Sequence, residues 1–157
     1  MEDSGPISKK SERDERTGLA VEKIKRDILD NLFYLQGKFP EVATLNDWYL
    51  AVAHMVKDRL MNVWVKSAQD YYERAARTVC YFSAEFLLGP QLGMNLLRLG
   101  LRDAVEIAAR ELGIDLDGLI EYEGEPGLGS GGLGRLAACF MESLATLQVP
   151  AAWQAIP

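Results

Sequence analysis

The residues with the most evident chemistry lie in one stretch, Glu123-Gly124-Glu125-Pro126-Gly127-Leu128-Gly129-Ser130-Gly131-Gly132-Leu133-Gly134, which runs straight into Arg135-Leu136-Ala137-Ala138-Cys139-Phe140. Glycines at 127, 129, 131, 132 and 134 remove the side chains that keep a ligand off the main chain, at an entropic cost that a plain connector need not carry. A helix starting there offers unpaired N–H groups and the positive end of its dipole, a combination that receives an anion. Phosphate is the natural guest, and a tight turn between packed helices is the other reading of the same glycines. Gly127-x-Gly129-x-x-Gly132 satisfies the formal dinucleotide pattern, as does Gly129-x-Gly131-x-x-Gly134. That site needs a buried strand immediately before it, however, and Glu121 to Pro126 are acidic and turn-forming. No Gly-Lys-Ser/Thr ending follows, which excludes a nucleotide triphosphatase loop at motif level.

A second candidate is Glu85, just past the strand-like run Thr78-Val79-Cys80-Tyr81-Phe82-Ser83, at the strand end where α/β proteins gather ligand contacts. A carboxylate there can orient a sugar hydroxyl, hold a basic group or relay a proton, and it can equally cap a helix or form a salt bridge. His54 falls inside an amphipathic helix and reads as a packed or hydrogen-bonded imidazole. Cys80 and Cys139 form no Cys-x-x-Cys pair and have one histidine for company, so no metal site is expected and both read as buried thiols.

These residues need elements to place them. Residues 1–17 are charged and polar, with Ile7 as the one large apolar side chain after Met1, and are expected to be a disordered tail. From there Val21, Ile24, Ile28, Leu32 and Leu35 recur at helical spacing, with Gly37 and Pro40 as the stop. Thr44 with Asp47 signals a new helix start, and Trp48, Ala51, Val52, Met55, Val56, Leu60 and Val63 carry that helix to about Ser67. The strand at 78–83 is hydrophobic almost throughout, as expected for burial on both faces in a parallel or mixed sheet. Short helices follow at 91–98, 101–112 and 115–122, divided by Gly100 and Gly113. The helix after Gly134 is small and apolar nearly all round and is expected to be buried. The fold class is therefore mostly α-helical, with one or two strands.

Composition narrows the function. The chain has 157 residues, 48% of them hydrophobic, with 17 basic and 23 acidic side chains and a net charge of −6. Disorder throughout and a disulfide scaffold are both excluded. The acidic balance argues against a nucleic-acid partner. Neither a membrane-spanning run nor a signal peptide is present, and a cytoplasmic location is expected.

Taken together, Tyr81-Phe82-Ser83-Ala84-Glu85-Phe86-Leu87-Leu88-Gly89, then Leu99-Gly100-Leu101, then Gly127 through Phe140 strongly resemble the glycogen and starch phosphorylases, the α-1,4-glucan phosphorylases. Asp30-Asn31-Leu32, Ala43-Thr44, Asn46-Asp47-Trp48-Tyr49, and Asp58-Arg59-Leu60 with Trp64 look like the N-terminal region of bacterial members. The resemblance covers about residues 17–152. It implies that residues 18–157 are the N-terminal portion of an α/β two-domain, GT-B-type fold built from Rossmann-like domains. It also implies retaining phosphorolysis of an α-1,4-glucan by inorganic phosphate to glucose 1-phosphate, with pyridoxal phosphate as cofactor.

Carried over by that resemblance, Gly131 and Gly132 lie against the cofactor and substrate phosphates, Leu133 lines the glucose pocket, and Glu85 is the active-site glutamate. Arg135 belongs to the same motif, as a structural ion pair or as a ligand contact. Ser130 stands where the family usually has Asn, and Leu87 and Pro90 replace the Tyr and Arg of animal enzymes. Trp153 to Pro157 depart from the family's Gly-Tyr-Gly-type continuation, as a frameshift, an early stop or a partial gene model would produce. The lysine that binds pyridoxal and the basic residues that clamp the phosphates are outside these 157 residues. The expectation is a homodimer at full length and an inactive polypeptide on its own. The alternative is a non-catalytic fragment that binds phosphorylase subunits or glucan.

Overall fold

Apolar side chains at helical spacing build the first part of the molecule, and a change to strand-like runs builds the second. The computed structural model describes residues 16–129 and 131–155, and these fall into two units. Of the tail expected at 1–17, residues 1–15 lie outside the described ones.

The helical unit comprises the described residues up to 64 together with 92–123. Helix α1 (Val21–Tyr34) turns Ile24, Ile28 and Leu32 fully inward, as their spacing dictates. It stops where Gly37 adopts a φ of +63° and the amides of Gly37 and Lys38 bond back to the carbonyls of Phe33 and Leu32. After a 3₁₀ turn at Pro40–Val42 comes helix α2 (Leu45–Glu73). Its start is the expected box: the Asp47 carboxylate accepts from the Thr44 amide at 2.9 Å and hydroxyl at 2.8 Å, and the Asp47 amide donates to the Thr44 hydroxyl at 3.3 Å. These bonds hold the Asp47 carboxyl below its ordinary value, the backbone bond contributing most. The helix continues past Ser67 to Glu73 and has 29 residues in all, about 44 Å at 1.5 Å per residue, because no glycine or proline interrupts it.

Helices α3 (Leu92–Arg98), α4 (Arg102–Glu111) and α5 (Leu116–Tyr122) close the unit at the expected places, with Gly100 and Gly113 supplying positive φ between them. Their Leu92, Leu96, Val105, Ala108, Ala109, Leu116 and Leu119 join α1 and α2 in one apolar core. Arg59, 3% exposed, crosses this core's edge to reach Asp27 at 2.8 Å, the Gly18 carbonyl at 2.5 Å and the Met55 carbonyl at 3.0 Å. Asp27 also pairs with Lys23. At the end of α5 the Glu123 carboxylate accepts from the Leu92 amide at 2.7 Å, satisfying an open donor at the α3 start. Burial, and next the charge of Glu123, push the Tyr49 hydroxyl above its usual range.

The second unit holds residues 65–91 and the described part of 124–157. Strand β1 (Val79–Ser83) pairs in parallel with β4 (Ala151–Ala155), Val79 opposite Ala151 through Ser83 opposite Ala155. Two-residue strands β2 (Phe86–Leu87) and β3 (Gly127–Leu128) pair antiparallel, Phe86 opposite Leu128 and Leu87 opposite Gly127. Helix α6 (Gly132–Thr146) packs on β2 and β4. The Phe86 ring lies 5.1 Å from Trp153 and 6.2 Å from Tyr81, which in turn lies 5.8 Å from Phe140.

Four strands form where one or two were expected. β4, Ala-Ala-Trp-Gln-Ala, lacks the β-branched signal and is recruited by β1. Burial also departs from expectation. Val79 and Phe82 of β1 are exposed, as are Leu133, Leu136 and Phe140 of α6, and only Gly134, Ala137 and Ala138 of that helix are buried. Both cysteines are exposed instead of buried. Each sheet among the described residues has two strands, so β1 has a single strand neighbour, and α6 is covered chiefly by β2 and β4, which leaves much of both elements to solvent.

Candidate functional site

Local bonding makes the second unit converge on Glu85. At the end of β1 the Ser83 hydroxyl donates to the Glu85 carbonyl at 2.8 Å and accepts from the Glu85 amide at 3.3 Å. This closed loop through a buried serine turns the chain from β1 into β2. The β2–β3 register, with Phe86 opposite Leu128, sets Glu85 beside Gly129, the first residue past β3.

Gly129 has a φ of +87°, and a Cβ there would fall 2.4 Å from Glu85 Cγ, 2.6 Å from Cδ and 2.9 Å from Cβ. The glutamate stem therefore occupies the space that any other residue at 129 would fill. On the helix side, a Cβ at Gly134 would meet the Leu87 amide nitrogen at 3.1 Å and Glu85 Cβ at 3.4 Å, so α6 approaches β2 as closely as a glycine allows. Glu85 is half-buried. Its Oε2 is shielded from solvent and has no hydrogen-bond donor among the described residues. An acceptor in that condition is costly unless a donor reaches it.

Beyond Glu85 the loop is bare. Gly131, with φ +90° and ψ −154°, is the N-cap of α6 and offers no side chain to its amides. Its carbonyl accepts from Arg135 at 3.3 Å, which leaves the amides of the first turn without a carbonyl partner inside the helix. Around both Gly131 and Gly132 an added Cβ would meet no atom within 4 Å. Among the described residues, the Cβ sides of both glycines at the α6 start thus face open space, next to Leu133, half of whose surface is exposed. Ser130, the departure from the family's Asn, lies outside the described residues. Chemically the arrangement offers main-chain donors and a helix dipole for an anion, with the Glu85 stem held against Gly129, two residues before the N-cap.

The structure brings Glu85 and the described part of the glycine run into one unit. His54 stays on α2 of the helical unit, half-buried. Among the described residues, no three His, Cys, Asp or Glu side chains are grouped to hold a metal ion. Sequence reasoning missed the Ser83 clasp and the contact between Gly129 and Glu85. The Ser-x-Glu spacing signals the first, and nothing before the β2–β3 register signals the second.

Residues 109–156 match the carbohydrate phosphorylase family. A glycogen phosphorylase of Synechocystis is 60% identical over 88% of this chain. One from Chlamydia trachomatis is 45% identical over 87%, and the brain form from Bos taurus is 44% identical over 83%. The family match continues through residue 156, beyond Trp153 where the sequence departs from the expected continuation. This chain belongs to the carbohydrate phosphorylase family, and the relatives it is similar to are glycogen phosphorylases. It spans 16% of the length of the Synechocystis relative and 17% of the chlamydial one.

Proposed function

We propose that these residues form the N-terminal part of an α-1,4-glucan phosphorylase, in a GT-B-type fold, contributing one wall of a site where inorganic phosphate cleaves a terminal glucose to give glucose 1-phosphate. The observation that carries this reading is the open main-chain cradle of Gly131 and Gly132 at the α6 start, in the same unit as a half-buried Glu85 whose Oε2 lacks a donor. The 60% identity to a glycogen phosphorylase supports the choice of sugar and phosphate as ligands.

In this reading the amides at Gly131 and Gly132 bind and orient phosphate oxygens, where positioning and pre-aimed donors lower the barrier. Leu133 borders the glucose ring and excludes water from it. Glu85 accepts a hydrogen bond from a ligand hydroxyl or from a protonated phosphate oxygen at Oε2. The bare glycine cradle also fits the phosphate of pyridoxal phosphate, which would supply the proton exchanged with the substrate phosphate. The lysine that holds the pyridoxal ring in the family is expected outside these 157 residues, and so is most of the glucan cleft. The polypeptide by itself is expected to be inactive. The full-length protein is expected to be a cytoplasmic homodimer without a nucleic-acid or membrane partner. Among the described residues no helix is long and apolar enough to cross a membrane.

The test is a titration of the purified chain with inorganic phosphate, followed by the amide resonances of its glycines. Saturable shifts at Gly131 and Gly132, absent with chloride, are expected, and unmoved resonances there refute the reading. Release of glucose 1-phosphate from glycogen by the 157 residues alone would overturn the expected inactivity.

A further inference from the structure

Gly129 and Gly131 share nearly the same positive φ, +87° and +90°, yet differ in what surrounds them. A Cβ on Gly131 meets nothing within 4 Å, whereas one on Gly129 lands on the stem of Glu85, at 2.4 Å from Cγ and 2.6 Å from Cδ. Backbone conformation alone favours glycine at both sites. At 129 a second cause acts, and it concerns the glutamate. The Ser83 hydroxyl fixes the Glu85 backbone from one side, and the close approach of Gly129 limits where the stem can lie from the other. Oε2, shielded and without a described donor, is the atom whose place this setting decides.

We infer that Gly129 is a positioning residue for Glu85: the absence of a side chain at 129 lets the carboxylate stem lie against the loop, and any side chain there displaces it. The inference takes the role of Glu85 from the function proposed above, while the contact itself stands on geometry. It separates the glycines of the loop into two kinds. Gly131 and Gly132 keep space open for a ligand, and Gly129 gives its space to another residue of the same site. Alanine at 129 therefore moves Glu85, and alanine at 131 leaves Glu85 where it is.

The test is a double-mutant cycle in the full chain, with Gly129→Ala and Gly131→Ala each made in the native and the Glu85→Ala backgrounds, read by urea denaturation and by the side-chain carbon resonances of ¹³C-labelled glutamate. Each alanine carries its own cost of a positive φ in both backgrounds, so the change of its effect between the backgrounds isolates the contact with Glu85. Gly129→Ala is expected to lower the folded-to-unfolded ratio about tenfold more in the native background than with Glu85→Ala, within the range for residues in direct contact. Gly131→Ala, whose Cβ would meet no neighbour within 4 Å, is expected to act alike in the two backgrounds, within about twofold. The Glu85 resonances are expected to shift in Gly129→Ala and to stay in place in Gly131→Ala. An unchanged difference between the alanines in the two backgrounds, or unmoved Glu85 resonances in Gly129→Ala, overturns the inference. Should Gly129→Ala fail to fold, the native chain decides: a nuclear Overhauser effect between the Gly129 α-protons and the Glu85 γ-protons is expected, and its absence overturns the inference. Failure of the phosphate titration would strike the function proposed for the loop and leave this contact standing.

Discussion

Alanine at Gly132 should make the protein more stable and the phosphate cradle worse. Gly132 is the first residue of α6, carries no positive φ, and has open space where its Cβ would stand. Substitution there costs no strain and reduces the freedom of the unfolded chain, a gain of about 0.4–1 kcal/mol. The same methyl group intrudes on the side from which a ligand approaches the main chain. Losing one hydrogen bond to a charged group costs about 1.5–3 kcal/mol, which corresponds to roughly 10- to 150-fold in affinity. Urea denaturation followed by far-ultraviolet circular dichroism measures the first effect, and the amide-resonance titration with inorganic phosphate measures the second. Greater stability with undiminished phosphate affinity would refute the argument, because the space at Gly132 would then serve no ligand. A destabilised Gly132→Ala would refute the premise that this position is free of neighbours.

Two further outcomes follow from the helical unit. Arg59→Met removes the buried partner of Asp27, which keeps its pairing with Lys23, and removes the donors to the Gly18 and Met55 carbonyls. The expected loss is about 3 kcal/mol, the lower end for breaking a buried pair, and an unchanged denaturation midpoint would contradict it. The Asp47 carboxyl is held below its unfolded value of 3.8 by the Thr44 amide and hydroxyl. A depressed folded value means a contribution present above the unfolded value and lost as the pH falls through the folded one. Circular dichroism on acidification below 3.8 should therefore show a pH-dependent loss of stability that Asp47→Asn lacks. Equal acid profiles for the two proteins would show that the box does not support the helix.

The sequence by itself determined the helical unit and the identity of the loop. Ile24, Ile28 and Leu32 point inward because 3.6 residues per turn leave them no other common side. Thr44 and Asp47 cap α2 because both partners lie within three residues of one another. These are local rules, satisfied by neighbours along the chain. The glycine run was equally legible, since no other residue type both tolerates φ near +90° and leaves the main chain bare.

Only the tertiary structure decided the rest. Parallel pairing of Val79–Ser83 with Ala151–Ala155 joins residues about seventy positions apart, and a strand as plain as Ala-Ala-Trp-Gln-Ala takes its conformation from its partner. Burial in the second unit was misjudged for the same reason. The apolar composition of α6 says how much surface can be covered, but the cover comes from elements elsewhere, and in the described residues it reaches Gly134, Ala137 and Ala138 while Phe140 stays exposed. The seat of Glu85 is the clearest case. A carboxylate and a glycine 44 residues apart meet through the register of two short strands, and no pattern along the chain encodes which glycine makes room for it.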